Sequence, residues 1–267
     1  MISPHSAGTA DEVDALVAAL YGGPLELDLP SVIHVAAMWQ SPAGSLQVIR
    51  ITEESPRSPW DAFALNLARA RAGVILTTGA ILRAEPEVRY TLQGPGLLPE
   101  GLRLWRHARM GPGAPTLAVL TSGHALDFHH PAFHTGQRVQ LHVPSEVITA
   151  LKTRAPSSVE IVGHAELTAR GVVQLLAAQP QVVVVEAGPS TTTALYDTPA
   201  LVNELMLSTY LHPDLPKTLR GGHWTRDPTF FFKRRAGESA MFAPEGRWRF
   251  GRYLDPLQGE WQKNGKK

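Results

Sequence analysis

The chain contains no cysteine, which excludes disulfides, thiolate metal sites and cysteine nucleophiles together. It also lacks a long apolar run. The longest, Val182–Val185 and Val32–Trp39, are strand-sized, well short of the ~20 residues that a bilayer-spanning helix needs. Charge of one sign is missing too: 25 Lys and Arg stand against 24 Asp and Glu, a net charge of +1. No strong field therefore exists to recruit nucleic acid or an anionic membrane. Residues 1–9 carry neither a basic nor an apolar segment, so nothing there marks export. A cytoplasmic protein acting on a small molecule is the expectation.

Signature motifs are scarce as well. The sequence has no G-x-G-x-x-G, no Walker A and no G-x-S-x-G elbow, so the common nucleotide folds and α/β-hydrolases are not indicated. What is present is length and apolar content. With 267 residues, 43% of them hydrophobic, one sizeable core is possible.

The pattern along the chain alternates helix and strand. Thr9 and Glu12 stand at capping-box spacing before Val13, Leu16, Val17 and Leu20, and Gly22-Gly23 closes that helix. Ser31–Trp39 is apolar at nearly every position, as in a strand covered on both faces, and Gly44–Ile51 is a second extended segment. Ser58-Pro59 starts a helix that stops at Gly73. Strands follow at Val74–Thr78, Thr116–Thr121, Gln137–Val143, Val159–Gly163 and Val182–Glu186, with helices at Glu146–Ala155 and Thr168–Ala178. This spacing predicts an α/β fold with a largely parallel sheet. After Pro199, the segments Val202–Leu211, Thr229–Arg235 and Arg247–Leu254 have no helices between them and predict antiparallel edge strands.

In such sheets ligands bind outside the carboxyl ends of the strands. Three strand-to-helix junctions have suitable chemistry. In the first, Glu186-Ala187-Gly188-Pro189-Ser190-Thr191 follows the valine run, with small residues that let a backbone approach a phosphate at a helix start. In the second, Thr77-Thr78-Gly79-Ala80 is followed by Arg83, a bidentate partner for phosphate. The third is Thr121-Ser122-Gly123. Each is equally an ordinary capped turn. Histidines 124, 129, 130 and 134 cluster without ligand-type spacing and read as a polar loop; no metal is expected.

Taken in order, these segments resemble the reductase domain of riboflavin biosynthesis, the RibD C-terminal family, from about Pro30 to Leu254. The resemblance rests on A-R-A-G-V-I-L-T-T-G-A-I-L-R-A-E-P (Ala70–Pro86), L-A-V-L-T-S-G-H-A-L-D-F-H-H-P-A-F (Leu117–Phe133) and the Glu186 loop. L-V-N-E-L (Leu201–Leu205) and G-R-W-R-F-G-R-Y (Gly246–Tyr253) complete it. It implies a dihydrofolate reductase-like three-layer α/β domain over residues 30–256, with a mixed central sheet and helices on both faces. A helical extension (1–29) would precede it and a disordered tail (257–267) would follow. It implies NADPH as cofactor and hydride transfer to the ribosyl side chain of an aminopyrimidine phosphate or a related substrate. It also implies a homodimer, for which Met206, Leu207 and Tyr210 are candidate contacts. Glu186 would relay a proton or only hold the turn. Thr78, Gly79, Ala80, Arg83, Thr121, Ser122, Gly123 and 187–191 would line the cofactor.

Departures from the family include Ile81 where it has a threonine and Ala187-Gly188 for its double glycine, and two lie on its first strand and turn. The aspartate of its first turn is absent from Met38–Gly44, and the lysine of its first strand is absent from Val32–Ala37, where His34 is the polar residue. A reductase with an altered substrate, or a nucleotide-binding protein without turnover, both fit that pattern.

Overall fold

The computed structural model describes residues 2–25, 31–197, 201–224, 229, 232, 234–239 and 247–255. Its helices are α1 (Ala10–Tyr21), α2 (Pro59–Arg71), α3 (Gly79–Ala84), α4 (Leu98–Met110), α5 (Ile148–Lys152), α6 (Ala169–Ala177) and α7 (Pro189–Thr192). The strands are β1 (Ser31–Gln40), β2 (Leu46–Ile49), β3 (Val74–Thr78), β4 (Thr116–Leu120), β5 (Val139–Pro144) and β6 (Val159–His164). They continue with β7 (Val182–Val185), β8 (Glu204–Tyr210), β9 (Arg220–His223), β10 (Arg234–Ser239) and β11 (Trp248–Leu254).

The predicted caps form. Thr9 and Glu12 make a reciprocal capping box on α1, and Gly22 ends it in the left-handed conformation at φ 76°. Ser58 caps α2 ahead of Pro59.

The strands make one mixed sheet in the order β10-β11-β8-β1-β7-β3-β4-β5-β6, with β2 on the far end of β1 and β9 on β2. Every neighbour from β8 to β6 in that order is parallel. The four valines of β7 are buried on both sides, Val182 and Val184 in the cluster to which α2 contributes, Val183 and Val185 in the one to which α6 contributes. Each such side chain contributes roughly 1.5 kcal/mol or more, which explains an unbroken valine run at the centre of the sheet.

Three expectations change. The segment Val202–Leu211 was expected to be antiparallel, but β8 runs parallel to β1, from Ile33↔Glu204 to Trp39↔Tyr210. α7 and the following 3-10 turn Thr193–Tyr196 carry the chain back before β8 begins, so direction reverses only at β11. Second, Met206, Leu207 and Tyr210 are buried in the monomer and give no support for a dimer contact. Third, α4 was not expected. Its Leu98, Leu102 and Trp105 bury one face, and Trp105 Nε1 donates to Asp14 of α1 at 2.7 Å. Of the predicted strand Thr229–Arg235, residues 230, 231 and 233 lie outside the described residues, while Arg234 and Arg235 begin β10, antiparallel to β11; the tail 257–267 lies wholly outside them. Among the described residues no helix is long and apolar enough to cross a membrane.

Candidate functional site

β7 is short. It stops at Val185, opposite His34 of β1 and Leu76 of β3, while β1 runs on to Gln40 and β3 to Thr78. A crevice therefore opens above the end of β7. From β7 the chain leaves toward β8 on one side; from β3 it leaves toward β4 on the other. This reversal is where open α/β sheets bind ligands.

The three junctions picked from the sequence come together there or beside it. Thr78 caps α3, its hydroxyl accepting from the Ile81 amide at 3.2 Å. Gly79 is buried against the next turn: a Cβ on it would lie 2.7 Å from Thr121 Oγ1 and 3.5 Å from Arg83 Nη1. Thr121 Oγ1 in turn accepts from the Gly123 amide at 3.1 Å, and Gly123 has φ 82°, which suits glycine. Ala80, Arg83 and Ser122 are exposed at the rim. The glycine at position 79 thus lets two turns touch. Gly79→Ala should cost about 1–3 kcal/mol through overpacking. A shift in the urea midpoint reports it, and a loss below about 0.5 kcal/mol would show that Thr121 gives way freely.

The loop after β7 has different geometry. The Glu186 amide donates to Leu76 O, and the Thr191 and Thr192 amides both donate to Gly188 O at 3.0 Å. Among the described residues the amides of Ala187, Gly188 and Ser190 donate to nothing. Gly188 sits at φ −73°, ψ 171°, ordinary extended backbone, and a Cβ there would meet open space. Glycine is therefore not required at 188 for turn conformation. The missing side chain leaves open space beside Gly188, in a loop whose amides at 187, 188 and 190 have no acceptor among the described residues.

Glu186 is held hard. Both carboxylate oxygens accept from Arg69, Oε1 from Nε and Oε2 from Nη2, each at 2.7 Å. Arg69 is buried, lies 5.1 Å from the Tyr90 ring centroid, and donates Nη1 to the carbonyls of Arg89 and Thr91. Burial works against the Arg69 charge, but Glu186 outweighs it and raises its pKa. The Tyr90 hydroxyl reaches Thr77 Oγ1 at 2.7 Å. Glu85, at the end of α3, shares this environment. Burial first, and the Glu186 charge second, raise its pKa to about 7, with Arg69 opposing. Arg69, Tyr90 and the role of Glu85 were missed in the sequence. The available signal was a helix end, A-R-A-R-A, in which arginines sit among alanines on an otherwise buried stretch.

Two of the four clustered histidines are turned onto backbone. His130 bonds Glu85 O and the Ala132 amide, and His134 bonds Phe128 O.

His34 is completely buried below the crevice, Nδ1 2.6 Å from the Tyr196 hydroxyl and its ring 5.5 Å from that of Trp224. Burial lowers its pKa from 6.5 to about 4, with the Ala187 carbonyl opposing. The imidazole is neutral at pH 7. Because the unfolded chain takes up this proton near 6.5 and the folded one only near 4, stability falls as pH falls through that window. His142 shifts in the same direction and Glu85 in the opposite one, so a difference between variants isolates His34. Between pH 7 and pH 5, His34→Gln should lose about 2 kcal/mol less stability than the parent in urea titrations. Equal losses would show that His34 titrates in the folded protein as it does in the unfolded chain.

No protein-family model matches the chain, and no curated protein matches it by sequence. Solved structures do match by shape. Acinetobacter baumannii RibD has a TM-score of 0.54 at 16% identity, over 85% of this chain and 58% of that one. A pyrimidine reductase-like protein of Corynebacterium diphtheriae has 0.55 at 19%, over 84% and 91%. The riboflavin biosynthesis reductase of Saccharomyces cerevisiae has 0.57 at 12%, over 91% and 99%. The chain thus spans little more than half of the RibD protein. At these identities the likeness is one of fold.

Proposed function

We propose that this chain is an NADPH-dependent reductase of the pyrimidine reductase type, acting on the ribosyl side chain of an aminopyrimidine phosphate or a related substrate. One observation carries the reading: the amides of Ala187, Gly188 and Ser190 have no acceptor among the described residues, and space is open beside Gly188, at the reversal point of the sheet. In this reading those amides hold the pyrophosphate, with the Thr78–Gly79 and Thr121–Gly123 turns beside it. When bound, the nicotinamide supplies the hydride. Arg69 fixes Glu186, and through it the start of the loop, so Glu186 acts as a positioning residue. With a pKa of about 7, the Glu85 carboxyl carries a proton for part of the population at neutral pH. In this reading the hydride goes to the ribosyl C1′, the bond from C1′ to the ring oxygen breaks, and Glu85 gives its proton to that oxygen.

A second reading, nucleotide binding without turnover, is favoured by His34. It occupies the strand where the resemblance leads one to expect a lysine, and it is buried and bonded to Tyr196. Oxidation of NADPH in the presence of 5-amino-6-(5-phosphoribosylamino)uracil separates the two. The reductase reading expects turnover with a pH limb near 7 that Glu85→Gln abolishes. Binding of NADPH without turnover would leave the second reading. The resemblance also implies a homodimer, whose mass light scattering reads directly.

A further inference from the structure

A second cavity, of about 690 Å³, lies between α4 and the segments around residues 90–97 and 111–115. Its walls include Tyr90, Leu97, Pro112 and Pro115, which are flat or apolar, and the side chains of Arg106 and His107. Charge on the lining is uneven. Arg69 is neutralised by Glu186, and Arg103 by Glu100 through bonds of 2.9 and 2.6 Å. Arg106 has no carboxylate partner among the described residues. Its Nε donates to Gly113 O, and its Nη1 donates to Ala70 O and Ala72 O, at 2.6–2.9 Å. These bonds fix the guanidinium plane and leave the Nη2 hydrogens without an acceptor among the described residues. Burial also lowers the Arg106 pKa, as it does for a cation short of an anion.

We infer that this cavity is a binding site for a small organic carboxylate with a flat apolar body, its carboxylate on Arg106 Nη2 and its body against the Tyr90, Leu97 and proline walls. A half-buried guanidinium with a fixed plane and free donors is suited to a carboxylate, because part of its ordering and desolvation is already done. Arg69 and Tyr90 border both this cavity and the Glu186 site, but Arg106 and the 111–115 wall take no part in the loop after β7, and the inference goes beyond the reductase reading. It holds whether or not the protein binds NADPH.

The test titrates 1-naphthoate into the full chain without nucleotide, followed by calorimetry. Saturable binding is expected, with 1-naphthalenemethanol and inorganic phosphate each at least about tenfold weaker, because each keeps only half of the recognition. Arg106→Met should weaken naphthoate by a similar factor. That arginine also pins three carbonyls, so Ala114→Trp, at an exposed position of the lining, serves as the second variant and should block the cavity. Gly188→Val should leave naphthoate binding unchanged. The inference is overturned if naphthoate does not saturate at millimolar concentration or if Ala114→Trp binds it as well as the parent does. It also falls if phosphate equals naphthoate, or if Gly188→Val weakens naphthoate binding.

Discussion

Replacing Glu204 by alanine is expected to destabilise the protein by about 3–5 kcal/mol, the largest single effect anticipated here. Glu204 is 3% exposed and accepts from two guanidinium groups, Arg71 at 2.7 and 2.8 Å and Arg252 at 2.8 and 3.4 Å. The triad ties the end of α2 to β8 and β11. Burial by itself would raise the Glu204 pKa, but the two arginines outweigh it and bring it down to about 2. Removing the carboxylate leaves two buried cations facing each other without compensation, a far larger penalty than the loss of the four bonds themselves. Urea denaturation measures it; a midpoint shift worth less than about 1 kcal/mol would mean that water reaches the arginines. Replacing all three residues together by apolar ones of similar volume should be close to neutral, because the desolvation penalty disappears with the charges.

Gly188→Val should weaken NADPH binding by about a hundredfold, if two amide bonds to an ionised phosphate at ~1.5 kcal/mol each are lost. The geometry makes this a clean variant. At φ −73°, ψ 171°, before Pro189, valine is as comfortable as glycine, and its side chain enters open space. The melting temperature should not drop, so lost binding would report the cradle and not the fold. Unchanged affinity in the folded variant would remove this loop from the cofactor site.

The parts of the fold that local chemistry dictates were legible in the sequence. The Thr9–Glu12 box, the Ser58-Pro59 start and the β7 valines each announce one element, and the structure has all three. α4 was hidden by its own composition: Pro99 and Gly101 sit in its first turn, after Gly94-Pro95-Gly96. The reason for Gly101 is tertiary, since a Cβ there would strike the Ala7 carbonyl oxygen. The direction of β8 was illegible because a helix of four residues suffices for the crossover.

At the site, the three junctions were visible as strand ends with small and hydroxylated residues. How they combine was not. Gly79 meets Thr121, and Arg69 meets Glu186 across 117 residues, contacts that no local pattern encodes. The same holds for the L-V-N-E-L segment and the arginine-containing helix end, which carried the family resemblance separately and prove to be two sides of the Glu204 triad.

The central claim is that the loop after β7 receives a dinucleotide on its free amides. An amide-resolved nuclear magnetic resonance titration of the nitrogen-15-labelled chain with NADPH tests it most directly. Saturable shifts are expected, largest at Ala187, Gly188 and Ser190, with smaller ones at Thr78, Gly79 and Ser122. No shifts at all, or shifts centred elsewhere with these three amides unmoved, would contradict it.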